Sequence, residues 1–265
     1  VTGRREESLA VLDLVDEFLG DVDSKTFEKN GVVSRLWGDL EAIMNPKLLL
    51  SGHVDVVDAP ERLFCPVIED GRMFGRGAGD MKGFVASMVA SYTDWITKMN
   101  GAHGVGLLLT SDEEVGGFNG TRYVIDEGLK AGVVFIPDGS FDYDIVQSQK
   151  APHHFHVRAK GTGGHASRAF EIDNPVNRIW KLYGKMRGKY AKASLDDSWK
   201  TTFEMTVVNT DKESSANAIP SEVEAWFSWR WPLEQISFNQ GVEDMKRFSK
   251  DFGVDILDDG HGMGE

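Results

Sequence analysis

The chain contains a single cysteine, Cys65, so no internal disulfide can form and a thiolate zinc site has too few ligands. A reducing compartment, the cytoplasm, is the expected location. No uninterrupted apolar run reaches the length of a membrane helix, and the opening Val1-Thr-Gly-Arg-Arg-Glu-Glu has no apolar signal core; both argue against membrane insertion. Basic residues are in deficit, with 29 Lys and Arg against 42 Asp and Glu and a net charge of -13. Nucleic acid and anionic membranes are recognised by clustered cations, so neither is an expected partner; a small molecule or peptide is. Internal repeats and low-complexity segments are missing too.

What is present reads as two domains in 265 residues. Leu9, Leu12, Val15, Phe18 and Leu19 fall at helical spacing behind Ser8, a candidate N-cap. Three near-continuous apolar runs, beginning at Lys47, Val105 and Gly132, have the look of strands buried on both faces of a parallel sheet. Helical patterns separate them: Phe84 to Ile96, and Thr121 to Glu127. This alternation predicts an α/β domain with a doubly wound, mostly parallel sheet over residues 1–149. From about residue 150 the pattern changes to strand, helix, two strands and helix, which predicts a ferredoxin-like α+β domain over 150–260, with 261–265 starting a return to the first domain.

The chemistry gathers where the apolar runs end. His53 and Asp55 are two apart at the carboxyl end of the first strand, so both side chains leave one face, and an aspartate behind an imidazole fixes its tautomer. A surface turn with a chance His-x-Asp is the alternative for that pair alone. Asp80 lies in Gly75-Arg-Gly-Ala-Gly-Asp-Met-Lys-Gly. That loop matches neither the dinucleotide G-x-G-x-x-G nor the P-loop, which disfavours a nucleotide site. Asp112-Glu-Glu follows the second strand and Asp138 the third. Any one of these acids reads as solvated, but carboxyl ends of neighbouring strands converge on one cleft. One imidazole among several carboxylates suits zinc, cobalt or manganese in a paired site, with adjacent Glu113 and Glu114 dividing the roles of general base and ligand.

Together these motifs resemble the co-catalytic zinc hydrolases that include acetylornithine deacetylase, succinyl-diaminopimelate desuccinylase, aminoacylase and carboxypeptidase-type enzymes. The resemblance implies His53, Asp80, Glu114 and Asp138 as metal ligands, two zinc ions, Asp55 as the ligand's supporting carboxylate and Glu113 as general base toward a metal-bridging water. It implies that the second domain is an inserted dimerisation or lid domain, and that His165, in Gly164-His-Ala-Ser, steadies the tetrahedral intermediate in a partner subunit of a homodimer. It further implies that Asn217, in Asn217-Ala-Ile-Pro, and Arg230 hold a substrate carboxylate. A loop histidine and a strand-end cation between aromatics are the alternative readings of His165 and Arg230. Asp173-Asn-Pro-Val and Ser215-Ala-Asn-Ala-Ile-Pro-Ser-Glu lean toward the desuccinylases.

The implied activity is amide hydrolysis of an N-acyl amino acid. A carboxypeptidase or dipeptidase on the same site is one alternative, and a catalytically silent metal-binding or dimerisation module is another. The family continues beyond its lid with a second histidine ligand; here the motifs stop before it and His261 reads as a linker residue, so a fragment or truncated variant is expected.

Overall fold

The computed structural model describes residues 1–139, 144–210, 215–232 and 238–258, so the expectations for His261 and residues 261–265 lie outside the described residues. The chain forms two compact units, Val1–Ile145 and Val146–Glu265.

The first unit runs α1 (Arg5–Leu19), β1 (Ser24–Lys29), β2 (Val32–Trp37), β3 (Leu48–His53), β4 (Val67–Glu69), β5 (Arg72–Phe74), α2 (Gly83–Met99), β6 (Val105–Thr110), α3 (Thr121–Asp126) and β7 (Val133–Phe135). Its main sheet has the order β1-β2-β6-β3-β7, and β4 pairs with β5 in a separate hairpin. Strands β6 and β7 run parallel to β3 on either side of it, as the apolar runs predict. The expectation of a mostly parallel sheet is corrected to a mixed one, because β1 and β2 join through two antiparallel pairings. Their two-residue link, Asn30 and Gly31, has both φ angles positive, at 50° and 79°, the turn whose twist matches an antiparallel hairpin.

Helices cover both faces of this sheet. Leu107 and Leu109 of β6 pack with Leu12 and Val15 of α1 and with Val85, Met88 and Tyr92 of α2. Leu108, pointing the other way, packs with Val124 of α3 and with Leu36 and Leu49. Two expectations need correction here. Ser8 is not the N-cap: α1 begins at Arg5, and Ser8 lies one turn inside it, buried, its hydroxyl donating to the Arg4 carbonyl at 3.0 Å. Glu6 and Glu7 occupy the first turn, where the helix dipole favours acids. Nor is the third apolar run buried: β7 is the sheet's edge strand, and Val133, Val134 and Phe135 are exposed by 61%, 48% and 54%.

The second unit runs β8 (Ala151–Lys160), β9 (Gly164–His165), α4 (Pro175–Tyr190), β10 (Thr202–Thr210), β11 (Ala218–Ile219), β12 (Glu222–Trp231), α5 (Phe238–Phe252) and β13 (Asp255–Asp258). Its four-stranded sheet has the order β10-β12-β8-β13 with every pairing antiparallel, the β-α-β-β-α-β arrangement of ferredoxin-like units. One face carries the core: Phe155, Val157, Phe203, Phe227 and Trp229 pack with Ile179, Leu182 and Met186 of α4 and with Val242 and Met245 of α5. Alternate residues of β8 and β12 leave from the opposite, open face.

Phe155 has no exposed surface and sits 4.5 Å from the His153 ring, centroid to centroid. Phe155→Ala is expected to cost about 3–5 kcal/mol, read as a lower denaturant midpoint for the second unit's transition with the first unit's unchanged.

Candidate metal centre

Parallel pairing of β6, β3 and β7 sets three carboxyl ends side by side, with β3 in the middle. His53 is the last residue of β3, Glu113 and Glu114 follow β6, and Asp138 follows β7. Asp80 comes from the loop that leads into α2. Gly77 in that loop has a φ of 83°, and a Cβ there would lie 2.6 Å from Val56 Cγ1, so glycine lets the loop close against the strand end.

The four acids gather around His53. Asp80 Oδ1 lies 3.1 Å from its Nε2, Asp138 Oδ2 3.6 Å and Glu113 Oε2 3.7 Å. Two overlapping groups have ligand atoms within 4.8 Å of one another: His53 with Glu113 and Asp138, and His53 with Asp80 and Glu114. An imidazole amid carboxylate oxygens is a donor set that suits a borderline divalent ion. The grouping of Glu113 with His53 and Asp138 differs from the expected ligand set, in which Glu113 stands outside the ligands as the general base.

Asp55 is the support. It is 1% exposed, and its carboxylate accepts the backbone N–H groups of Glu113 and Glu114, each at 3.2 Å, and the Thr2 hydroxyl at 2.8 Å. One oxygen also stands 3.4 Å from His53 Nδ1. The His53 backbone N–H points at Met81 Sδ, 3.3 Å away. Burial alone would push the His53 imidazole down, but Asp55, followed by Glu113, outweighs it and raises the group to about 9. Burial likewise opposes ionisation of Asp55, but the hydrogen bonds with His53 and Thr2 prevail and hold its carboxyl below the usual range. The remaining acids shift the other way: burial raises Glu113, Glu114 and Asp138, and like charges add to it, Asp138 acting on Glu113 and Asp80 on both Glu114 and Asp138. This mutual repulsion is what a cation would relieve.

Two contributors escaped the sequence reading. Asp112, classed there with the solvated acids, is buried; it accepts from the Thr110 hydroxyl at 3.1 Å and from the backbone of Asn119 and Gly120 at 2.8 and 3.0 Å. It thereby shapes the loop that carries Glu113 and Glu114. A Cβ on Gly120 would collide with Thr110 Oγ1 and Asp112 Oδ1, so a glycine eight residues after an acid was the available signal. Lys82 is the other: its ammonium is pushed down by burial while Asp55 and Glu114 pull it up.

His165, Asn217 and Arg230 all belong to the second unit. His165 and Asn217 are neighbours: His165 pairs with Ala218 across the β9–β11 ribbon, and Ala166 N–H donates to the Asn217 carbonyl at 2.8 Å. Arg230 is not with them. It lies eight residues along β12 from Glu222, the end that adjoins the ribbon, a span of about 26 Å.

Comparison with known proteins places these observations. Residues 49–251 match the model of peptidase family M20/M25/M40. The chain is 28% identical over 202 residues to a succinyl-diaminopimelate desuccinylase of Rickettsia akari (strain Hartford), covering 70% of this chain and 53% of that protein. It is 30% identical over 202 residues to the desuccinylase of Acidiphilium cryptum (strain JF-5), covering 71% and 53%. The chain thus spans about half the length of the curated relatives it matches. Among solved structures, the M20 family metallo-carboxypeptidase Sso-CP2 from Sulfolobus solfataricus superposes with a TM-score of 0.71 at 17% identity, covering 97% of this chain and 72% of that one. Human carnosine dipeptidase 1 superposes with a TM-score of 0.69 at 14% identity and the same coverage. At these identities the structures establish the fold.

A metal ion must displace the proton that His53 holds up to about pH 9. Zinc affinity of chelator-treated protein is therefore expected to rise between pH 7 and 9, by up to about tenfold per unit, measured by competition titration. Asp55→Asn is expected to weaken zinc binding by about 10- to 100-fold and to lower the His53 pKa, followed by NMR.

Proposed function

The chain belongs to peptidase family M20/M25/M40, and from that premise we propose that it hydrolyses the amide bond of an N-acyl amino acid, in the manner of a deacetylase or desuccinylase. The observation that carries the reading is the crowding of Asp80, Glu113 and Asp138 within 3.7 Å of one buried imidazole nitrogen. Zinc is the proposed ion, two per site, with cobalt and manganese compatible with the same donors; His53, Asp80, Glu114 and Asp138 are the proposed ligands. When bound, it supplies Lewis acidity at the scissile carbonyl and lowers the pKa of the attacking water.

Glu113 is the proton carrier. Burial and its acidic neighbours lift its carboxyl from the usual range, so it takes a proton from water and yields it to the leaving amine more readily than a solvated glutamate. Asp55 holds His53 in one orientation and, through two backbone hydrogen bonds, holds the turn that carries Glu113.

His165 is proposed as the donor to the oxyanion. Its Nδ1 accepts the Ser167 backbone N–H at 3.2 Å, which assigns the proton to Nε2 on an exposed ring. Asn217 and Arg230 are proposed to hold substrate. Their separation along β12 means that one copy of this unit does not present both to one small molecule, which supports a homodimer whose copies contribute different ends. Sequence identity of 28–30% to desuccinylases favours an N-acyl amino acid, and the dipeptidase and carboxypeptidase alternative has support from fold alone.

Screening N-succinyl and N-acetyl amino acids beside dipeptides tests the substrate class; hydrolysis confined to dipeptides would overturn it. Glu113→Gln is expected to lower turnover about 10²- to 10⁴-fold with zinc content unchanged. Loss of zinc in that variant would make Glu113 a ligand instead of the base.

A further inference from the structure

On the open face of the second unit's sheet, β8 presents Pro152, His154, His156, Arg158 and Lys160, and β12 presents Glu222, Glu224, Trp226, Ser228 and Arg230. Charges on this face are matched from one end. Lys160 pairs with Glu222 at 3.2 Å, and Arg158 with Glu224 at 4.0 Å. His156 Nε2 lies 3.0 Å from Glu224, its ring stacked on Trp226 with centroids 3.8 Å apart.

At the other end the matching stops. Among the described residues neither the Arg230 side chain nor that of His154 forms an ion pair or hydrogen bond, in a chain whose net charge is -13. The register sets His154 opposite Ser228, so Arg230 is its diagonal neighbour on the same face, within reach of long side chains. Opposite Arg230 stands Pro152, which offers no side-chain donor or acceptor. The acid nearest to Arg230 by register, Glu204 of β10, opposite Ser228, is engaged by the Tyr183 hydroxyl at 2.6 Å and Arg187 at 3.2 Å, both from α4, and Asp258 of β13 stands opposite His156. Burial and Arg230 push the His154 imidazole down, so near neutral pH it is a hydrogen-bond donor rather than a second cation.

We propose that Arg230 and His154 form one seat for a carboxylate, in which His154 sets how tightly that carboxylate is held. This rests on the reading that Arg230 takes the substrate's carboxylate, and it adds a specificity-determining residue to it. The planar guanidinium offers two parallel N–H groups and the imidazole a third, an arrangement that favours a carboxylate over a spherical anion.

The test is a succinate titration of the full, chelator-treated chain, with chloride at equal ionic strength as control, followed through the imidazole and guanidinium NMR signals. The parent protein is expected to show saturable shifts at His154 and Arg230 with succinate and none with chloride. Arg230→Gln is expected to abolish them, and His154→Gln to weaken succinate about tenfold. Both side chains are on the open face, and unchanged thermal midpoints would show that the variants fold. Unaltered affinity in His154→Gln, with binding lost in Arg230→Gln, overturns the shared seat and leaves the role of Arg230 standing. A parent that responds to succinate as it does to chloride overturns both.

Discussion

The buried carboxylate of Asp55 joins the two halves of the candidate metal centre. It lies just past the end of β3, accepts two backbone N–H groups from the turn after β6, and faces the imidazole that heads the site. Remove it and His53 keeps only the Asp55 backbone carbonyl, 3.0 Å from its Nδ1, while Glu113 and Glu114 lose the bond that sets their turn. Placing a charge where it is 1% exposed is costly unless every lone pair has a partner; here a hydroxyl, two amides and an imidazole share that duty. Asp112 repeats the device one step back, anchoring the far end of the same loop against β6 and α3. Two buried acids thus hold the more exposed ones in place.

The exposed acids are arranged against their own electrostatics. Glu113, Glu114 and Asp138 each resist ionisation through burial and mutual repulsion, and the imidazole among them retains a proton well above its ordinary range. The same field that makes the cluster receptive to a cation lifts the Glu113 carboxyl above its ordinary range.

Much of this was legible because its signals are local. Apolar runs such as Val105 to Thr110 are strong enough to be read directly, and the acids that follow them convergence makes meaningful. What escaped was non-local or weak. In β1 only Phe27 is buried, so the hairpin that makes the sheet mixed leaves little alternation to detect. β13 is four residues with one partly buried side chain. Asp112 looks like its neighbours until Gly120 is seen against it. Arg230 and Asn217, thirteen positions apart, read as partners until the register of β12 separates them, and His154 has meaning only beside Arg230 across that ladder.

The exposed edge formed by β7 has a colloidal consequence. Val133, Val134 and Phe135 present apolar side chains on an edge strand, a template for sheet-to-sheet accretion. The net charge of -13 opposes such contacts by repulsion between molecules, and added salt screens that repulsion over about 10 Å at 0.1 M. Added salt is therefore expected to lower the concentration at which the protein stays in solution.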